Sequence, residues 1–68
     1  MTQTERLHEW LKERPIDPMT AWDRLGIYRL AARVNDLRNR GVNITSDTYQ
    51  IKNRFGETVK VARYWLEK

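Results

Sequence analysis

The side chains best equipped for chemistry in this chain are its cations, and they fall in two clusters. Residues 24–40 hold Arg24, Arg29, Arg33, Arg38 and Arg40 against Asp36 alone, a local charge of +4. Residues 52–63 hold Lys52, Arg54, Lys60 and Arg63 against Glu57 alone, a local charge of +3. The remaining positions carry seven acids and four bases, −3, which brings the whole chain to its net +4. Two basic segments on an otherwise mildly acidic chain suit a polyanion. Tyr28, Asn35 and Asn39 are interleaved with the first cluster. A guanidinium presents a planar fork to guanine O6 and N7, a Tyr meets a phosphate or a thymine methyl, and an Asn meets phosphate or a base edge.

Other chemistries are poorly supplied. There is no Cys, which excludes disulfides, thiolate zinc sites and cysteine nucleophiles, and His8 is the single His. No cofactor, metal or catalytic residue is therefore expected. Gly26, Gly41 and Gly56 are isolated, so no glycine loop cradles a phosphate, and no pair of acids stands in a shielded setting. No apolar run approaches the roughly 20 residues that span a bilayer, and residues 1–6 lack a signal-peptide core, so no membrane partner and a cytoplasmic setting are expected. With 68 residues, 40% hydrophobic and 32% charged, the chain reads as one small domain with a compact core.

These cations need a frame. Thr2 and Glu5 have capping-box spacing, with Thr4 as a competing cap, and Leu7, Trp10 and Leu11 share a helical face, which predicts helix 1 over about 3–13, ending before Pro15. Asp17 and Pro18 suit the cap and first position of helix 2, about 18–25, with Ala21, Trp22 and Leu25 inward and Gly26 as its stop. Ile27, Leu30, Ala31, Val34 and Leu37 then mark the buried stripe of helix 3, about 28–40, which turns Tyr28, Arg29, Ala32, Asn35, Asp36 and Asn39 outward. After Gly41 the pattern becomes strand-like. Residues 43–66 read as a β-hairpin turning at Asn53-Arg54-Phe55-Gly56-Glu57, with Ala62, Tyr64 and Leu66 favoured as the inner face of its second strand.

Helix, helix, tight turn, helix, hairpin is the element order of an α+β winged helix-turn-helix domain, whose third helix enters the major groove while its wing touches the backbone or minor groove. The two basic segments coincide with helix 3 and the wing. The run Ala21-x-x-x-Leu25-Gly26-Ile27-x-x-Leu30-Ala31-Ala32-Arg33-Val34-x-x-Leu37-Arg38-x-x-Gly41 resembles the small helix-turn-helix family common in bacteriophages and prophages. Asn53-Arg54-Phe55-Gly56-Glu57 and Val61-Ala62-Arg63-Tyr64 resemble the wing of that family, and the resemblance covers about residues 14–66. It implies a winged-helix fold, DNA binding and a bacterial host cell as the setting. Trp22, four positions before the turn glycine, departs from the small residue of repressor-type sequences. That predicts a different crossing of helices 2 and 3 and argues against carrying repressor base contacts over.

The candidate DNA-binding residues are Tyr28, Arg29, Arg33, Asn35, Asn39, Lys52 and Arg54. Each has a plainer reading beside it. Arg33 can pair with Asp36 at i+3, Arg38 and Arg40 can balance the carbonyl end of helix 3, and a wing-tip Arg54 can be a solubilising charge. Phe55 reads as a plug for the wing and Trp10, Trp22 and Tyr64 as core, whereas an exposed Trp65 would offer a partner surface. Double-stranded DNA is the expected partner, for transcription regulation or for architectural control such as excision. One helix reads only about half a turn of duplex, so self-association or cooperative neighbours would complete the specificity. A protein-interaction module using the same surface is the first alternative. RNA binding is the second, for which no aromatic sheet platform is apparent.

Overall fold

The computed structural model describes residues 2–67. Three helices, α1 (Gln3–Leu11), α2 (Pro18–Leu25) and α3 (Leu30–Asn39), precede two antiparallel strands, β1 (Ile44–Lys52) and β2 (Thr58–Leu66). This is the winged-helix order expected from the sequence.

Local chemistry sets the helix ends. Thr2 caps α1 through a complete capping box: its hydroxyl accepts from the Glu5 amide at 3.1 Å, and its own amide donates to Glu5 Oε1 at 3.2 Å. The Thr2 amide's donation to the carboxylate, assisted by the Thr2 side chain, favours the charged form and lowers the Glu5 pKa from its ordinary value. Thr4, the competing cap, is buried inside the first turn. Helix α1 ends at Leu11, short of residue 13, and a turn over residues 12–13 leads to Pro15. Asp17 caps α2 by accepting from the Thr20 amide at 2.8 Å, with Pro18 in its first turn.

The core is Leu7, Leu11, Ile16, Ala21, Ile27, Leu30, Val34, Leu37 and Ile44, with Trp10, Leu25, Val42, Tyr64 and Leu66 packed against it. Three sequence expectations are corrected here. Ala31 is exposed, because Leu30, Val34 and Leu37 already fill the inner arc of α3 and Ala31 lies a quarter-turn round from Leu30. Ala32, expected to point outward, is half-buried. Trp22 is 59% exposed: Ala21 and Leu25 make the inner face of α2, and Trp22 follows Ala21 round the helix toward solvent. The bulky residue at this unusual position thus stays out of the core, and fully buried Ala21 occupies the inner face.

Strand pairing runs in unbroken register from Ile44↔Leu66 to Lys52↔Thr58. Tyr64 and Leu66 face the core, as favoured from sequence, and Ala62 is half-buried. The link before α2 does more than connect. Ile16 is 2% exposed and pairs with Tyr64, its amide donating to the Tyr64 carbonyl at 2.8 Å and the reverse bond also measuring 2.8 Å. The nine-residue strands extend about 30 Å, and the molecule measures 39 × 23 × 20 Å. No helix among the described residues is long and apolar enough to cross a membrane.

Candidate nucleic-acid interface

The turn between α2 and α3 is closed by Gly26 at φ 67°, a left-handed conformation that disfavours a Cβ. Its amide donates to the Trp22 carbonyl at 3.2 Å, and the Ile27 amide donates to the Ala21 carbonyl at 3.0 Å. Ile27 is fully buried and pins the turn to the core. The next two residues point away from it. Tyr28 is 82% exposed, and Trp22 meets its ring edge-on, with centroids 5.8 Å apart and planes at 80°. Arg29 is exposed and is the N-cap of α3 rather than a residue of its first turn; the helix starts at Leu30, two positions later than periodicity suggested.

No side chain caps α3. The amides of its first turn therefore lack the side-chain acceptor that Thr2 and Asp17 supply to α1 and α2. They stand beside Arg29, where the helix dipole favours negative charge. Asn35 and Asn39 are exposed one turn apart on the outer side of α3. Arg33 is half-buried and lies 3.0 Å from Asp36 through Nε, the i+3 pairing noted from sequence, although this nitrogen makes no aligned hydrogen bond. Arg38 acts as a brace. Its Nε and Nη2 donate to the Ile44 carbonyl at 3.2 and 2.8 Å, joining the end of α3 to the start of the wing.

The wing tip is organised by Asn53. Its Oδ1 accepts from the amides of Phe55 and Glu57 at 2.9 and 3.1 Å, and its Nδ2 donates to Glu57 Oε1 at 3.1 Å. Its amide donates to the Glu57 carbonyl at 2.9 Å, and Gly56, at φ 78°, donates back to the Asn53 carbonyl at 3.0 Å. This small network holds Arg54 and Phe55 outward. Phe55 is 79% exposed, which corrects the expectation that it plugs the wing, because the tip lies beyond the reach of the core.

Lys52 is exposed and lies on the same sheet face as Lys60, since Lys52 pairs with Thr58 and Gln50 with Lys60. Lys60 is not among the sequence candidates: alternation puts it on the face of Tyr64 and Leu66, but only the strand register sets it beside Lys52. The open first turn of α3 was missed as well; the lack of Ser, Thr, Asp or Asn at position 29 was the available signal. Tyr28 and Arg29 thus stand together at the start of α3, Asn35 and Asn39 along its outer side, and Lys52 and Arg54 at the far end of the wing.

Three helices, a glycine-closed turn before the third, and an antiparallel hairpin define a winged helix-turn-helix protein. The family model for the winged helix-turn-helix domain matches residues 2–68, and the chain belongs to that family. The domain suggests DNA binding and is typically non-enzymatic. No curated protein and no solved structure matches the chain.

Proposed function

We propose that this protein binds double-stranded DNA, with the outer side of α3 in the major groove and the Lys52–Lys60 face and Arg54 tip of the wing on the flanking backbone or minor groove. The observation that carries this reading is the start of α3. It has no side-chain cap, its first-turn amides need acceptors, and exposed Tyr28 and Arg29 flank it. A DNA phosphate supplies the missing acceptor oxygens and the negative charge that the helix dipole favours. Asn35 and Asn39 then face base edges, and Arg33, already beside Asp36, is the weaker contact of the set. The resemblance to phage and prophage proteins supports a role in transcription regulation or in DNA architecture such as excision.

The test is a salt titration of binding to a mixed-sequence duplex. Arg29, Lys52, Arg54 and Lys60 together neutralise about four phosphates, so log K against log[salt] should fall with a slope of roughly −3.6. Affinity should drop about 150-fold between 50 and 200 mM salt, a range over which an uncharged protein interface would change little. A flat response would overturn the reading.

A further inference from the structure

Trp22 lies outside the core, where fully buried Ala21 and the partly buried Leu25 already make the inner face of α2. Its ring is spent elsewhere. It meets Tyr28 across the turn, with centroids 5.8 Å apart and planes at 80°, the edge-to-face arrangement that the ring quadrupoles favour. Tyr28 has little else to hold it. It is 82% exposed, it lies in the bend between Gly26 and α3 rather than in a helix, and its hydroxyl forms no hydrogen bond among the described residues. The backbone leading to it is fixed. The Gly26 amide donates to the carbonyl of Trp22 itself at 3.2 Å, and the Ile27 side chain is fully buried. The turn thus sets where the Tyr28 side chain is attached, and the Trp22 ring sets where it points.

We infer that Trp22 is a positioning residue, which holds the Tyr28 ring so that its hydroxyl donates to a backbone phosphate of DNA beside the start of α3. The inference rests on the DNA-binding reading and adds to it a residue of α2 that charge does not single out. A phosphate at this point meets a hydroxyl donor, the neighbouring Arg29 cation and the uncapped amides of the first turn of α3, and hydrogen bonds to an ionised acceptor are roughly twice as strong as neutral ones. A thymine methyl gives the hydroxyl no partner and needs the ring surface, part of which Trp22 covers. The gain from Trp22 is entropic. A Tyr free to change rotamer in an exposed bend has to be ordered when it meets DNA, whereas one held by a neighbouring ring has given up that freedom on folding. With only two soft torsions, Tyr lies toward the low end of the cost of immobilising a side chain, so Trp22 should raise affinity about 2- to 5-fold without touching the duplex.

The free protein supplies the first test. NMR should find a single χ1 rotamer for Tyr28, with its ring protons shifted by the Trp22 indole. Trp22→Ala should abolish the shift and average the rotamer while the fold persists, because Ala suits an exposed helical position. The second test is a double-mutant cycle on affinity for a mixed-sequence duplex. Tyr28→Phe removes the hydroxyl, keeps the ring, and should weaken binding about tenfold. Trp22→Ala should weaken it about 2- to 5-fold in the wild-type background and no further in the Tyr28→Phe background. Trp22→Phe, which keeps a ring, should bind nearly as well as wild type. A role for Trp22 in stability alone, or a DNA contact of its own, gives equal losses in both backgrounds. Equal losses, no loss in either, or an averaged Tyr28 rotamer in the wild type overturns the inference while DNA binding stands. A wild type that binds no duplex overturns the DNA reading, and this role of Trp22 with it.

Discussion

Replacing Lys52 and Lys60 by Ala removes the positive charge from the inner face of the wing. The two side chains are diagonal neighbours on one face, so their attachment points lie about 7–8 Å apart, and neither forms an ion pair among the described residues. Folding gains nothing from placing two ammonium groups side by side, so their removal should leave stability within the ~0.5 kcal/mol usual for surface sites, or raise it slightly. DNA affinity should respond quite differently. One neutralised phosphate contributes about 0.9 to the salt slope, which at 0.1 M salt corresponds to about 1.2 kcal/mol. The double variant should therefore lose about 60-fold in affinity at 0.1 M, and its slope should shrink by about 1.8. The loss should be the same on every sequence, because phosphate contacts carry no base information. Fluorescence anisotropy across a salt series, with thermal melts alongside, reads both quantities. Unchanged affinity and slope in a folded variant would refute the placement of this wing face on DNA.

Further outcomes follow from the same geometry. Arg29→Ala should weaken binding to a selected duplex by about 1–3 kcal/mol and relax preference at one base pair if the guanidinium reads a base; equal loss on all duplexes would make it a phosphate contact. Asp17→Ala deletes the cap of α2, leaves the Thr20 amide without its acceptor, and should cost about 1 kcal/mol, a fall of several degrees in Tm by calorimetry. The folded Glu5 pKa is lowered from its ordinary value, so the capping-box stabilisation is present above the unfolded pKa and is lost as pH falls through the folded one. In Thr2→Ala the backbone amide remains and the hydroxyl is lost, so an NMR titration should find the Glu5 pKa moved part of the way back up.

The sequence was most informative where one residue type has one physical use. Thr2 with Glu5, Asp17 with Pro18, and Gly26 after Leu25 each sit at the helix end their chemistry favours. Buried Leu7, Leu11, Leu30, Val34 and Leu37 follow from helical spacing. The misplacements share another cause. Trp22, Phe55 and Ala31 are apolar, and residue type alone sends them inward, but around Trp22 and Ala31 the core is filled by neighbours that face it more directly, and Phe55 sits on a tip the core does not reach. Ile16 is the converse: its pairing with Tyr64 joins segments 48 residues apart, and no local pattern announces it. The adjacency of Lys52 and Lys60 depends on strand register, which only the paired hairpin defines.

That pairing also explains how so long a wing keeps a fixed direction. A two-stranded hairpin in water is marginally stable on its own, and beyond its base this one lacks core contacts. The base is tied on three sides. Ile16 adds a short bridge to the free edge of β2 at Tyr64, Arg38 donates twice to the Ile44 carbonyl at the start of β1, and the Glu67 amide donates to the Asn43 carbonyl at 2.9 Å just below the first strand pair. The first tie comes from the segment that leads into α2, and the second from the last turn of α3. The wing is thereby oriented by the two helices of the helix-turn-helix unit rather than by its own sheet. At the other end Asn53 closes the loop with its own side chain, so the tip needs no core to hold its shape. Fixing both ends presents α3 and the wing in one preset arrangement, which reduces the conformational entropy lost when both meet a ligand. Arg38 is therefore better understood as a strut between α3 and the wing than as a phosphate contact, despite its place in the more basic of the two segments.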